Sequence, residues 1–135
     1  TEYCRKDIIT RFINKEKMYD GFTMISFIYP HAVASMKVGQ GAKSEGEMIV
    51  SGTKGYIYVP APWWKTDYFE VRYENQQNNK RYFYQLDGEG LRYELLSFLK
   101  AIRTGKEFSY VANDISKAIT STIADFYAHQ DMTVI

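Results

Sequence analysis

The chain has 135 residues, of which 45% are hydrophobic and 24% charged, with seventeen Lys and Arg against sixteen Asp and Glu. This length fits one domain that buries a core of its own, and the composition excludes an intrinsically disordered segment. A net charge of +1 gives no electrostatic reason to expect nucleic acid or a membrane as a partner.

Cysteine usage indicates the compartment. Cys4 is the single cysteine, so no internal disulfide can form, and a reducing, cytoplasmic location is expected. The sequence shows no signal-peptide pattern and no apolar run long enough to span a bilayer.

Strand-like patterns fill the chain up to about residue 88. The opening run 4–13 has an apolar spacing that fits either a strand or a short helix, and we predict a strand. Runs 22–29 and 32–38 flank Pro30 and His31, which predicts a hairpin or a tight connection between neighbouring strands. Aromatic residues make up 16% of the chain, and these side chains favour pleated, half-buried surfaces.

Two further hairpins are predicted downstream. Runs 46–52 and 55–60 flank Thr53 and Lys54, and the glycines on either side suit a turn with positive φ. Runs 67–74 and 80–87 alternate in polarity and flank the polar segment NQQNN. The alternation in the first of these runs separates two faces, namely Phe69, Val71 and Tyr73 against Tyr68, Glu70, Arg72 and Glu74.

The last third of the chain predicts two amphipathic helices. The segment GLRYELLSFLKAIRTGK carries an apolar stripe at helical spacing; Asp87 is expected to cap its start, and Gly105 to mark its end. The segment NDISKAITSTIADFYAHQ is expected to begin at Asn113 or Asp114 as N-cap. Its apolar stripe is expected to be buried and consists of Ile115, Ala118, Ile119, Ile123 and Phe126.

These elements together predict an α+β fold, with an open, mostly antiparallel sheet and two helices packed on one face. Residues 1–135 are interpreted as a single domain. Two helices on one face leave the other face of the sheet uncovered, and many strand side chains there are aromatic or aliphatic. We therefore expect that face to meet a partner subunit or another domain.

Sequence motifs for catalysis are absent. Gly-x-Ser-x-Gly, His-Glu-x-x-His and Cys-x-x-Cys do not occur, and the two histidines, His31 and His129, have no metal-ligand spacing. The glycine-rich loop GQGAKSEGE contains Lys43, but a strand follows it where a phosphate loop requires a helix. In DGEGLRYE, Tyr93 stands where a dinucleotide fingerprint requires its third glycine. We predict no catalytic residue, metal site or cofactor site in this chain.

The segment PAPWWKTDYFE is the most unusual stretch. Trp63 and Trp64 are adjacent, and neighbouring side chains of an extended backbone point to opposite sides, so a flat platform requires the loop to bend. We expect one Trp to be buried while the other covers a sheet edge, and whether either contacts a ligand stays open. Lys65 and Asp67 add polar groups. The candidate substrate-binding residues are Lys43, Trp63, Trp64 and Lys65.

Two motifs resemble a known family. A strand–turn–strand motif, Gly-Thr-x-Gly-x-Ile-x-Val-Pro, and a helix motif that ends in Phe-x-x-Ala-Ile-x-x-Gly are similar to the C-terminal domain of Gfo/Idh/MocA oxidoreductases, particularly the MviM-like branch. The resemblance spans roughly residues 20 to 128. The matching positions are Gly52, Thr53, Gly55, Ile57, Val59 and Pro60, then Gly88, Glu89, Gly90, Glu94, Phe98, Ala101, Ile102 and Gly105.

The resemblance implies a C-terminal substrate and oligomerisation domain, cut from a two-domain protein whose N-terminal Rossmann domain binds NAD or NADP. Family members transfer hydride to or from sugars, polyols or their derivatives and assemble as homo-oligomers through the open sheet face. The family's Glu-Lys-Pro motif and Asp-x-x-x-His pair are missing here, so no catalytic residue carries over and the fragment alone is expected to be inactive and to bind no NAD(H). The alternative is a stand-alone carbohydrate-binding or protein-interaction module.

Overall fold

A computed structural model describes residues 3–44, 46–88, 90–106, 108–109 and 111–135. The chain divides into two compact units, a first unit of Thr1–Ser44 with Val111–Ile135 and a second unit of Glu45–Tyr110. In chain order the elements are the strands β1 (Arg5–Asn14), β2 (Tyr19–Tyr29), β3 (Ala32–Val38), β4 (Met48–Gly52), β5 (Gly55–Val59), β6 (Tyr68–Tyr73) and β7 (Lys80–Phe83), the helices α1 (Leu91–Thr104) and α2 (Asn113–Tyr127), and the strand β8 (Met132–Val134).

The first unit contains a four-stranded sheet in the order β3-β2-β1-β8. The β1–β2 and β2–β3 pairs are antiparallel, whereas β8 runs parallel to β1. Alternate residues of β1 are buried, and these are Lys6, Ile8, Thr10 and Phe12. Because side chains alternate along a strand, these four share one face of the sheet, which forms the core of the first unit.

Helix α2 covers this buried face. The ring of Phe126 packs against Phe12 with centroids 6.1 Å apart. The adjacent residue, Asp125, accepts a hydrogen bond from the ammonium group of Lys6, whose side chain is only 1% exposed. A buried ammonium needs a partner that compensates its lost hydration, and Asp125 supplies that charge.

Two buried hydroxyls continue the polar contacts inside this core. Thr23 Oγ1 donates to Asp20 Oδ2 at 3.0 Å, and Thr10 Oγ1 lies 2.7 Å from Thr23 Oγ1. Since the hydroxyl hydrogen of Thr23 is committed to Asp20, Thr10 is the donor in the bond between the two threonines. The chain of bonds satisfies both hydroxyls, so their burial carries little penalty.

The second unit contains an antiparallel sheet in the order β4-β5-β6-β7. The hairpin predicted around Thr53 and Lys54 is confirmed, but neither Gly52 nor Gly55 has a positive φ. Gly55 is required for a different reason, since a Cβ there would lie 2.4 Å from the carbonyl oxygen of Arg72. The close approach of β6 to β5, and not the turn conformation, therefore demands glycine.

Helix ends partly follow the sequence prediction. Gly105 ends α1 with φ 65°, as predicted. Asp87 does not cap α1, because Gly90 occupies the N-cap position and the carboxylate of Asp87 instead accepts a hydrogen bond from Arg92 at 3.2 Å. The N-cap of α2 is Ala112, so the prediction of Asn113 or Asp114 is wrong by one or two residues. Glu89, part of the family motif, lies outside the described residues.

The apolar stripes of both helices are exposed. The predicted burial of the α2 stripe is wrong except at Phe126, because a periodic pattern defines which side of a helix is apolar but not what lies against it. None of the described residues covers these side chains, and no described helix is long and apolar enough to cross a membrane. Each residue of the following set has an exposed fraction between 48% and 64%: Leu91, Leu95, Phe98, Leu99, Ile102, Ile115, Ile119 and Ile123.

The α+β class, the mostly antiparallel pairing and all three predicted hairpins are confirmed, and the ambiguous run 4–13 is strand β1. The strands form two sheets where one was expected, and β8 was not predicted at all. A strand of three residues is too short to show alternation, and it exists because β1 offers it hydrogen-bond partners.

The buried ion pair of the first unit yields a stability prediction. Replacing Asp125 with Ala leaves the ammonium group of Lys6 buried without a partner, and we expect it to lower the free energy of unfolding by about 3 kcal/mol. Urea unfolding followed by circular dichroism measures the change.

The matched controls separate charge compensation from helix packing. Asp114→Ala, at an exposed position of the same helix, should cost less than about 1 kcal/mol. The double variant Lys6→Met/Asp125→Leu removes both charges and should restore most of the loss. Equal costs for Asp125→Ala and Asp114→Ala would show that the pair contributes nothing special.

Candidate functional site

The loop between β5 and β6 carries the two tryptophans. It bends sharply after a cis Ala61–Pro62 peptide bond. The amide of Trp63 donates to the carbonyl of Gly46 at 3.0 Å, and the amide of Lys65 donates to the carbonyl of Pro62 at 2.8 Å. Thr66 then donates its hydroxyl to the carbonyl of Tyr68 at 3.1 Å, where β6 begins. These three hydrogen bonds hold the loop in a defined bend.

The bend brings the two indole rings together edge to face. Their centroids lie 5.9 Å apart and their planes are perpendicular. Trp63 is 48% exposed and Trp64 is 61% exposed, so the expectation that one of them is buried is wrong. The rings do not form a flat platform. Because their planes are perpendicular, a ligand can stack on the face of only one ring at a time.

Beside Trp64 the second unit has an open cleft of ≈ 680 Å³. Two aromatic residues, Trp64 and Tyr68, line it together with polar side chains. Among the described residues, the lining consists of Pro60, Ala61, Pro62, Trp64, Lys65, Thr66, Asp67, Tyr68, Gln85, Leu86 and Gly88. A volume of several hundred Å³ is of the size that small-molecule sites have.

The cleft contains two of the four candidate residues. Trp64 and Lys65 line it, whereas Trp63 contacts the ring of Trp64 without lining the cleft. Lys43 belongs to the first unit, where it is exposed. The structure thus brings Trp64 and Lys65 together and gives Trp63 a supporting contact.

Tyr68 and Gln85 were not anticipated as lining residues. Sequence patterning assigned Tyr68 only to a sheet face, and Gln85 to the end of a strand. The pairing of β6 with β7 joins them, because the amide of Tyr84 donates to the carbonyl of Asp67 at 2.7 Å and so fixes residues 85–88 beside residues 66–68. No local pattern predicts this contact, because Tyr68 and Gln85 are seventeen residues apart in the sequence.

The cleft combines aromatic surface with hydrogen-bonding side chains. Aromatic side chains suit the apolar C–H face of a ring with hydroxyl groups, and Lys65, Asp67 and Gln85 offer hydrogen-bond donors and acceptors for hydroxyls. One Lys and one Asp leave the lining without net charge. No Ser, Cys or His occurs among the described residues that line the cleft.

Metal ligands and a dinucleotide site were also sought in the described parts of the chain. No group of three or more His, Cys, Asp and Glu side chains there is placed to hold a metal ion. A dinucleotide fold needs a parallel strand–helix–strand unit, but the strands of the second unit, β4 to β7, all pair antiparallel. The residues around these glycines therefore do not fit NAD or NADP.

A second arrangement of charged and aromatic groups occupies one face of the sheet in the second unit. Glu70 lies at its centre and accepts hydrogen bonds from two arginines on different oxygens. Arg72 Nε donates to Oε2 at 2.6 Å, and Arg81 Nε donates to Oε1 at 2.8 Å. Each guanidinium lies over a tyrosine ring, Arg72 over Tyr58 at 4.3 Å and Arg81 over Tyr68 at 4.7 Å. We call Glu70, Arg72, Arg81, Tyr56, Tyr58 and Tyr68 the Arg–Tyr face.

The two guanidinium groups change the ionisation of Glu70. Hydrogen bonds from Arg72 and then from Arg81 hold the pKa of the Glu70 carboxyl below its usual value of 4.5, against a smaller opposing effect of desolvation. The hydrogen bonds that Arg72 donates to the hydroxyl of Tyr56 and to the carboxylate of Glu70 raise the pKa of Arg72. Glu70 is therefore ionised throughout the neutral range, and the three charged groups carry a net charge of +1.

No known family model matches this chain, and no curated protein matches it.

The lowered pKa of Glu70 predicts a dependence of stability on pH. A carboxyl whose pKa is lower in the folded state contributes stability above its unfolded pKa and loses it as the pH falls through the folded value. Glu70→Gln cannot lose a charge on acidification. The difference in unfolding free energy between wild type and Glu70→Gln should therefore shrink as the pH falls from neutral to below 4.5.

Urea unfolding at a series of pH values measures this difference. Glu74→Gln serves as the control, because among the described residues Glu74 forms no ion pair. A constant difference between wild type and Glu70→Gln across the whole series would contradict the assigned coupling of Glu70 to its arginines.

Proposed function

We propose that this chain is the C-terminal substrate and assembly domain of a cytoplasmic, NAD(P)-dependent oxidoreductase that acts on a sugar-like or polyol-like hydroxyl. The observation that carries the proposal is the cleft beside Trp64, which combines aromatic and hydrogen-bonding side chains in a small volume. The similarity of two motifs to Gfo/Idh/MocA C-terminal domains supports it, because these motifs form the hairpin before the cleft and the helix after it.

The role of the cleft is to position the substrate. Trp64 and Tyr68 would lie against the C–H face of the ring, while Lys65, Asp67 and Gln85 would hold hydroxyls and fix its orientation. Orientation of a reacting group lowers the entropy cost of the step that follows. The cofactor is held by a separate Rossmann domain, since the residues of this chain do not fit it.

The role in assembly is supported by the first unit. One face of its sheet is covered by α2, whereas the opposite face exposes aliphatic and aromatic side chains. By strand alternation and pairing register this second face includes Ile9, Phe22, Met24, Ile28 and Val33, all of them exposed. Apolar surface of this kind gains free energy when it is buried, and a second copy of the chain is the proposed occupant.

The alternative is a stand-alone carbohydrate-binding module. It is favoured by one feature, namely that every lining residue of the cleft belongs to the second unit. A site complete within one unit needs no further domain to bind its ligand.

Characterisation of the native protein separates the two functions. The protein is captured from its source cells with an antibody against this chain, and its mass, its binding of NADH and NADPH by fluorescence titration, and its oxidation of sugars are measured. A protein larger than this chain that binds either nucleotide supports the oxidoreductase. A protein of the size of this chain that binds sugar and no nucleotide overturns the oxidoreductase in favour of the binding module.

Substitution of the tryptophans tests the cleft itself. Trp64→Ala removes the aromatic surface that lines the cleft and should weaken sugar binding about tenfold, which corresponds to about 1.4 kcal/mol. Trp63→Ala is the matched control, since Trp63 contacts Trp64 but does not line the cleft, and it should have a smaller effect. Isothermal titration calorimetry measures both. Equal losses in the two variants, or none, would contradict a stacking role for Trp64.

A further inference from the structure

Of the Arg–Tyr face, the proposed function uses Tyr68 but not the two arginines, Glu70, Tyr56 or Tyr58. Strand register places Tyr56 opposite Arg72, Tyr58 opposite Glu70, and Glu70 opposite Arg81, so three neighbouring strands present these side chains on the same side of the sheet. Ile49 and Phe83 belong to the same side and are exposed. Tyr and Arg are the residues that most often dominate binding energy in protein interfaces.

The arginines on this face are held in fixed orientations. Each one lies over a tyrosine ring and is bonded to Glu70, so little side-chain freedom remains to be lost on binding. Glu70 is only 14% exposed, while Arg72 is 34% and Arg81 is 53% exposed. The negative charge therefore lies beneath the two positive charges, and the surface that faces solvent is positive.

Donor groups remain for a second anion. Both arginines direct Nε and Nη2 at Glu70. Arg81 Nη1 makes no hydrogen bond to any described residue, and Arg72 Nη1 has only a long contact of 3.5 Å with the hydroxyl of Tyr56. Glu70, Arg72 and Arg81 are the only charged side chains among the described strand residues of this side, and together they carry a net charge of +1.

From this geometry we propose that the Arg–Tyr face is a docking surface for an acidic polypeptide segment of a partner protein. The partner's carboxylates bond to the outer edges of Arg72 and Arg81, and its apolar groups lie against Tyr56 and Phe83. Charge complementarity selects an acidic segment, because an additional carboxylate neutralises the face. The open side of a sheet offers an extended chain a broad contact area, and none of the residues that carry the proposal belongs to the candidate residues of the cleft.

The test uses the full chain and a fluorescein-labelled peptide of alternating Glu and Gly, with an alternating Gln and Gly peptide as the neutral probe. Fluorescence anisotropy gives the affinity. The Glu peptide should bind and the Gln peptide should not. Arg81→Gln should weaken binding about threefold to fivefold, the effect of one exposed charge pair, and Glu70→Gln should strengthen it by a similar factor because it removes the buried negative charge.

Lys80→Gln is the matched control. Lys80 is the neighbouring residue of β7, with the same charge and an exposed side chain, but strand alternation directs it to the opposite side of the sheet. It should leave the affinity unchanged. Urea unfolding of each variant verifies that the fold is retained. Arg81→Gln is expected to retain it, because Arg81 lies on an edge strand.

Three outcomes would overturn the proposal. Equal weakening by Arg81→Gln and Lys80→Gln would show attraction to the overall charge and not to this face. Unchanged or weaker binding by Glu70→Gln would show that the buried carboxylate does not oppose the ligand. Inorganic phosphate that binds with the same variant pattern and displaces the Glu peptide would assign the face to a small oxyanion.

Discussion

Alternation of side chains along paired strands is the constraint on which both units depend. In the first unit it sends Lys6, Ile8, Thr10 and Phe12 to one side of the sheet, and α2 covers that side. In the second unit it gathers Glu70, Arg72 and three tyrosines on one side. A four-stranded sheet has two faces of similar area, and each unit contains one α-helix among its described residues. One helix cannot cover both faces of its sheet.

The two charged clusters show opposite uses of an ion pair. Lys6 is almost fully buried, and Asp125 is needed because an isolated ammonium in that position would be strongly disfavoured. Glu70 lies near the surface, where its bonds to Arg72 and Arg81 contribute less to stability but hold two guanidinium groups in place. Burial makes loss of either partner of the first pair costly, whereas the more exposed second pair holds charged groups in place.

The cleft and the Arg–Tyr face both depend on β6. Tyr68, at the start of this strand, lines the cleft and also lies beneath the guanidinium of Arg81. The two surfaces differ in shape and charge, since the cleft is concave with one Lys and one Asp, whereas the sheet face carries an excess of positive charge. These differences suit a small hydroxylated ligand in one place and an extended acidic chain in the other.

Local patterns were sufficient for most elements. Period-two alternation gave the strands, and Gly105 gave the end of α1, because positive φ at a helix C-terminus is a property of one residue. The N-cap of α2 was missed. Asn113 and Asp114 are the favourable N-cap residues by local sequence, but the N-cap is Ala112. The glycine requirement at position 55 was recognised for the wrong reason, as its cause is the carbonyl of Arg72 on another strand.

The candidate site divides in the same way. An unusual aromatic and charged loop identified Trp64 and Lys65, because their chemistry is visible in the sequence itself. Tyr68 and Gln85 joined them only through the pairing of β6 with β7, and the two arginines met Glu70 only through strand register.

The sequence by itself predicted both helices and every strand except β8, together with the apolar side of each helix, because these depend on neighbours within a few positions. The tertiary structure alone decided that the strands form two sheets, that β8 pairs with β1, and which side chains line the cleft, because these depend on contacts between residues far apart in the chain.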